Sequence, residues 1–164
     1  GLTFDGTDLG DVHTTKRFYG CNFQHCFFHG LRYDGVRCRL CSFDFAVFTD
    51  CNLLKSNIQF SSYAGARFIH VLFTGSDLIL DNFSGISSFQ SSFDDSDLYN
   101  SHFVRANLVD TSFRNCNIKK TVFYEINQRN VSFKLSNTRE AVFDECGSAL
   151  FTGGEEQLPG GIIK

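Results

Sequence analysis

Every fifth residue of this sequence is large and apolar. Counted from Phe18, the positions run Phe18, Phe23, Phe28, Tyr33, Cys38, Phe43 and onward to Phe143 with no insertion or deletion. Of the 26 positions in this frame, 22 are Phe, Tyr, Leu or Ile. Two residues before each centre the side chain is usually small, as at Cys26, Ala46, Ser56, Ser76, Ser96, Ala106 and Thr121. The residue between them is often Asn or Asp, as in Asp77-Leu78, Asp97-Leu98, Asn107-Leu108 and Asn117-Ile118. A period of five matches neither the 3.6 of a helix nor the 2 of an ordinary strand. It fits a coil that turns a corner every five residues, with one large and one small side chain pointing inward on each side.

Residue type sorts again at a period of 20. The column Phe23, Phe43, Tyr63, Phe83, Phe103, Phe123, Phe143 is aromatic throughout, whereas Phe18, Cys38, Ile58, Leu78, Leu98, Ile118, Thr138 is mostly not. Residues 20 apart therefore stack, and one turn has four sides. Where a centre is small or polar (Cys38, Ser88, Gln128), the small position carries Val36, Ile86 or Ile126, as a close-packed interior requires.

These residues resemble the pentapeptide-repeat family, whose motif is written A(D/N)LXX, over Lys16 to about Cys146. The resemblance implies an all-β fold, a right-handed quadrilateral parallel β-helix. Twenty-six repeats make six and a half coils, about 31 Å long at about 4.8 Å between strands. Fourteen of the 20 Phe sit at inward centres. At about 1.5–3 kcal/mol per buried large side chain they dominate stability. Residues 1–17 read as an irregular lead-in, because Phe4 and Leu9 are one residue out of phase with Phe18. Residues 18–146 form the β-helix, and 147–164 read as a tail or linker toward a further domain, with no strong capping helix.

Seven cysteines, an odd number, suit a reducing, cytoplasmic compartment. Two glycosylation-type triplets, Asn82-Phe83-Ser84 and Asn130-Val131-Ser132, leave a secretory route open. No apolar run reaches the length of a membrane span.

Candidate chemistry is sparse. Cys38-Arg39-Leu40-Cys41, with Cys21, Cys26 and His29 upstream, has the outline of a zinc site. In the repeat frame, however, the four cysteines point inward and His29 outward, so they read as small core side chains. Cys21 and Cys41 lie one coil apart, a spacing that permits a disulfide. Asp81 takes a small inward position between Ser61 and Ser101 and reads as a partner for backbone amides and hydroxyls. The five histidines share no column and meet no acid or nucleophile at catalytic or metal-like spacing, and no catalytic or nucleotide-binding motif occurs. The sequence is read as no enzyme, with no catalytic residue, cofactor or metal.

Charge comes in bands. Ile69–Val104 holds five Asp (Asp77, Asp81, Asp94, Asp95, Asp97) and no Lys or Arg. Arg105–Arg139 holds seven basic residues, Lys119 and Lys120 among them, against Asp110 and Glu125, and so is net +5. Either this is ordinary surface charge or it orients a protein partner. Outward apolar residues also align. Leu40, Phe60 and Leu80 are 20 apart and form one exposed ladder with Ile79 and Tyr99 beside it; Ile69, Phe89 and Val109 form a second. Contiguous exposed apolar side chains mark interaction surfaces. Leu40, Phe60, Leu80, Ile79, Tyr99, Lys119, Lys120, Asp94, Asp95 and Asp97 are therefore the candidate partner-binding set.

The expected function is a protein-interaction module or scaffold, whose partner is another protein or a second copy in a homodimer. The alternative, implied by the resemblance, is topoisomerase protection by mimicry of a DNA duplex. Against it stand the net positive 105–139 band, the absence of projecting loops in an uninterrupted frame, and no clear helical dimerisation segment. Direct nucleic-acid binding is not expected at a net charge of −3.

Overall fold

The computed structural model describes residues 1–6 and 8–144, together with the backbone of Ile162–Ile163. It is a four-sided parallel β-helix. The first face is built on β2 (Arg17–Tyr19), β4 (Arg37–Arg39), β6 (Asn57–Gln59) and β8 (Asp77–Ile79). It continues through parallel bridges from Asp77 to Asp97, Asn117 and Asn137. The second face runs as bridges from Asn22 to Val122 and then through β11 (Val122–Phe123), β13 (Val142–Phe143) and β14 (Ile162–Ile163). The third face is a seven-stranded sheet: β1 (Thr3–Asp5), β3 (Phe27–His29), β5 (Val47–Thr49), β7 (Arg67–Ile69), β9 (Ser87–Phe89), β10 (Asn107–Val109) and β12 (Asn127–Arg129). The fourth is a line of bridges from Arg32 to Ser132. From β2 onward the register is 20 residues, as in Cys38↔Ile58 and Phe48↔Phe68.

Three features explain why a five-residue period winds this way. The first is the corner: every fifth residue from Gly20 to Glu140 has positive φ, between 46° and 72°. A left-handed residue turns the chain after each short strand, and only six of these 25 corners are Gly. The second is the core. All 26 centres except Phe18, Phe23 and Gln128 are buried. On the second face the rings from Phe23 to Phe143 stack at centroid spacings of 4.8–5.3 Å and within 13° of parallel. Val36, Ile86 and Ile126 are buried where the neighbouring centre is small.

The third feature explains why the small inward residue is so often polar. At many positions its backbone amide donates to the Ser or Asp side chain 20 residues on; at others, such as Ala46, Ala66 and Ser101, it donates to the carbonyl of the centre three residues earlier. Ser56 N bonds Ser76 Oγ at 2.9 Å, Ser76 N bonds Ser96 Oγ at 3.1 Å and Cys116 N bonds Ser136 Oγ at 2.9 Å. A buried amide left unpaired would destabilise the coil by about 1–3 kcal/mol.

The winding begins before Phe18. β1 pairs with β3, and Phe4 stacks on Phe28 at 5.2 Å, so the lead-in holds part of the first coil. The register there is 24 rather than 20, because four extra residues loop out between Leu9 and Phe18. Lys16 closes that end from a small inward position: its Nζ donates to Asp11 O and Thr14 Oγ1 and lies 5.2 Å over the Tyr33 ring. Apart from β14, the expected tail lies outside the described residues. Among the described residues, no helix is long and apolar enough to cross a membrane.

Candidate interaction surface

Leu40, Phe60 and Leu80 occupy successive corners between the first and second faces, with φ of 55°, 54° and 60°. A left-handed corner throws its side chain off the edge, and the three are 52%, 41% and 36% exposed. Gly20 precedes them in the column; Asn100, Lys120 and Glu140 follow. The adjoining column on the first face reads Tyr19, Arg39, Gln59, Ile79, Tyr99, Lys119, with Ile79, Tyr99 and Lys119 half-buried. Arg39 lies 5.1 Å over the Phe60 ring and Lys120 Nζ 5.8 Å over Tyr99. The Lys120 ammonium is held above its ordinary value, first by the Tyr99 hydroxyl. Seven of the ten candidate residues therefore share this edge and the column that adjoins it.

The acidic residues do not all join them. The chain turns a corner at Asp95, so Asp94 belongs to the fourth face, Asp95 to the corner between the fourth and first, and only Asp97 to the first. Asp94 and Asp95 thus lie across the width of the first face from the ladder. Asp94 also ties two coils together, accepting from Ser112 Oγ and from Arg114 N at 2.8 Å. The basic band is partly matched as well: Lys119, Lys120 and Arg139 converge on Glu140 at 3.6, 3.6 and 3.5 Å.

The coil brings two of the histidines to single acids that their spacing in the sequence does not suggest. His29 and His70 lie along the edge between the third and fourth faces, where the coil lines up residues one turn apart. His29 Nδ1 is 3.1 Å from Asp5, and His70 lies 2.9 Å from both Asp50 and Gln90. The Asp50 carboxylate raises the His70 pKa, followed by Gln90. Cys26, Cys38 and Cys41 are buried as expected, but Cys21, in the first full coil, is only partly covered. The six described cysteines are free thiols. The Cys38 thiol donates to Cys41, which lowers Cys41 to about 6 and raises Cys38. Among the described residues, no group of three His, Cys, Asp or Glu side chains could hold a metal ion.

The candidate set omitted Arg17, Arg37 and Arg39, which are exposed on the first face around a shallow depression that Tyr19 and Asn57 complete. Reading the column before each centre at period 20 would have found the two stacked arginines.

The architecture defines a class: a rigid four-sided rod whose interior is filled with side chains and whose outer walls carry its variable residues. Within it, residues 66–143 match the family model described as a pentapeptide repeat region. The structure resembles a pentapeptide repeat protein, Rfr23, from the cyanobacterium Cyanothece 51142, at a TM-score of 0.52 and 13% identity, covering 72% of this chain and 84% of that one. It is also similar to trypsin-treated QnrB1, a plasmid-mediated fluoroquinolone resistance protein (TM-score 0.43, 11% identity, 92% and 90% coverage). A third likeness is to a pentapeptide repeat protein of the Arabidopsis thaliana thylakoid lumen (TM-score 0.27, 21% identity, 77% and 67% coverage). No curated protein sequence matches the chain.

Proposed function

We propose that this chain is a non-enzymatic protein-interaction module, a scaffold that offers the edge between its first and second faces to a protein partner. One observation carries this: three consecutive corners of one edge bear Leu40, Phe60 and Leu80, exposed and in left-handed backbone. Left-handed backbone is common to every corner, but Gly20, Asn100, Lys120 and Glu140 in the same column show that the corner itself does not call for an apolar side chain. Exposed apolar residues repeated three times in line along one edge are a feature that folding alone does not require. The Arg39, Lys119 and Lys120 cations beside the strip supply the polar rim of an interface.

The test is capture of partners from a lysate of the source organism by the immobilised chain, set against Phe60→Asp combined with Leu80→Asp. Both side chains are exposed, so the double variant should keep the wild-type circular dichroism and melting temperature and lose the captured protein. Phe89→Asp, on the third face, should capture normally. A folded double variant that still captures the same protein at wild-type yield overturns the proposal.

A further inference from the structure

The outer wall of the first face has a symmetry that its fold does not need. The column before each centre reads Arg17, Arg37, Asn57, Asp77, Asp97; the column after it reads Tyr19, Arg39, Gln59, Ile79, Tyr99; the corner reads Gly20, Leu40, Phe60, Leu80, Asn100. Reversed about the coil of Asn57–Phe60, Arg17 meets Asp97, Arg37 meets Asp77, Tyr19 meets Tyr99, Leu40 meets Leu80 and Phe60 meets itself, whereas Arg39 meets Ile79 and Gly20 meets Asn100 without matching. We infer that a second copy of this chain docks antiparallel on this wall, related by a two-fold axis that runs along β6. This presupposes the interaction role proposed above and names the partner.

A two-fold along β6, lying between the two walls, reverses the order of the coils and keeps each column on its own counterpart, the self-complementary arrangement of a cyclic dimer. A two-fold along the rod would instead exchange the columns and set Arg37 against Arg39, two like charges. Charge therefore selects the antiparallel form.

The ionic groups are unsatisfied where the model of docking needs them to be. Arg17 and Arg37 are register partners, so two exposed guanidiniums stand one above the other, an unfavourable pairing on one strand-to-strand step. Arg17, Arg37 and Arg39 form no ion pair among the described residues. Asp77 uses one oxygen to accept from Asn57 Nδ2 at 2.9 Å. Asp97 uses one to accept from Tyr99 N and Asn117 Nδ2 at 2.9 and 3.0 Å. The basic coils that would overhang the dimer, at Lys119 and Arg139, already hold Glu140 between them. The wall is thus partly matched internally outside the overlap and left in complementary halves within it.

Five coils of overlap span about 24 Å, and five extended residues about 16 Å, a footprint of about 400 Å² per copy. That is about half the 800 Å² per partner of a standard stable interface, so the dimer is weak, dissociates on dilution and is sensitive to salt.

Sedimentation equilibrium of the purified full chain at low salt, from micromolar to several hundred micromolar, tests this. The chain should self-associate, and Arg37→Asp or Asp77→Arg alone should each weaken the dimer about tenfold. The two together in one chain should restore it to within about threefold of wild type, because both symmetry-related pairs are re-formed with signs exchanged. If either variant melts below wild type, Arg17→Asp with Asp97→Arg makes the same exchange at the outer pair. A chain that stays monomeric throughout, or an exchange no tighter than its singles, overturns the inference. If a monomeric chain still loses its captured protein on Phe60→Asp with Leu80→Asp, the interaction role survives and only the second copy falls.

Discussion

Asp81 stands where Ser61 and Ser101 stand one coil before and after it, and its carboxyl does only part of what their hydroxyls do. Ser101 Oγ accepts from Asp81 N at 2.9 Å and donates to Leu78 O at 2.7 Å. Asp81 Oδ1 accepts from Ser61 N at 2.7 Å, but the buried Oδ2 has no partner among the described residues. Burial raises the carboxyl pKa well above the ordinary range, against a smaller pull from the Ser61 amide. A raised folded-state pKa means that the contribution to stability is fully present below the unfolded value and is lost as pH rises through the folded value. Asp81→Ser should therefore stabilise the protein near pH 7, by about 1–3 kcal/mol for one unsatisfied buried polar atom. The gain should shrink as pH falls toward the unfolded carboxylate range. Urea unfolding of both proteins at neutral and acid pH measures this, and a gain that does not vary with pH contradicts it. The inward placement of Asp81 was legible from the repeat frame. The orphaned oxygen was not, because it depends on which amide lies one coil away.

Among the elements, the aromatic column of the second face binds one coil to the next. Phe103 is fully buried, 4.9 Å from the ring centroids of both Phe83 and Phe123, and meets Phe93 and Phe113 edge-on. Phe103→Ala removes a ring from a stack that neighbouring coils, fixed at strand spacing, cannot close. It should destabilise the protein by about 3–5 kcal/mol; a melting temperature within a degree of wild type would show that the stack relaxes. This column could be read from the sequence because a single uninterrupted frame carries it. The first coil could not be placed in the same way. Phe4 stacks on Phe28 across a four-residue loop, and a loop of that length breaks the count while leaving the winding intact. The five-residue spacing of Phe4 and Leu9 was the remaining sign of it.

At the scale of the whole molecule, the wall is banded along the rod rather than uniformly charged. Arginines on the first face at coils 17 and 37 give way to Asp77 and Asp97 and then to the cluster around Glu140. A DNA duplex presents negative charge along its whole length, and this surface does not. In a gyrase supercoiling assay with a fluoroquinolone, equimolar purified protein should leave inhibition unchanged; recovered supercoiling would show that the acidic coils alone suffice. The Leu40, Phe60, Leu80 strip was legible in the sequence because its spacing equals the coil. Asp94 and Asp95 were grouped with it by proximity in sequence, but the corner at Asp95 carries them round to another face. Arg17 and Arg37 are not legible as a site in the sequence, because two like charges 20 apart gain meaning only when the coil stacks them.

The left-handed corners from Gly20 to Glu140 give the rod something close to a ruled scale. Each edge is a line of marks about 4.8 Å apart, and what is written at a mark hardly alters the spacing of the rest. Moving a twenty-residue block up or down the chain would slide its inscription by one division and keep it on the same edge. Removing five residues would instead turn everything beyond by a quarter, so the lettering of one wall would appear on the next.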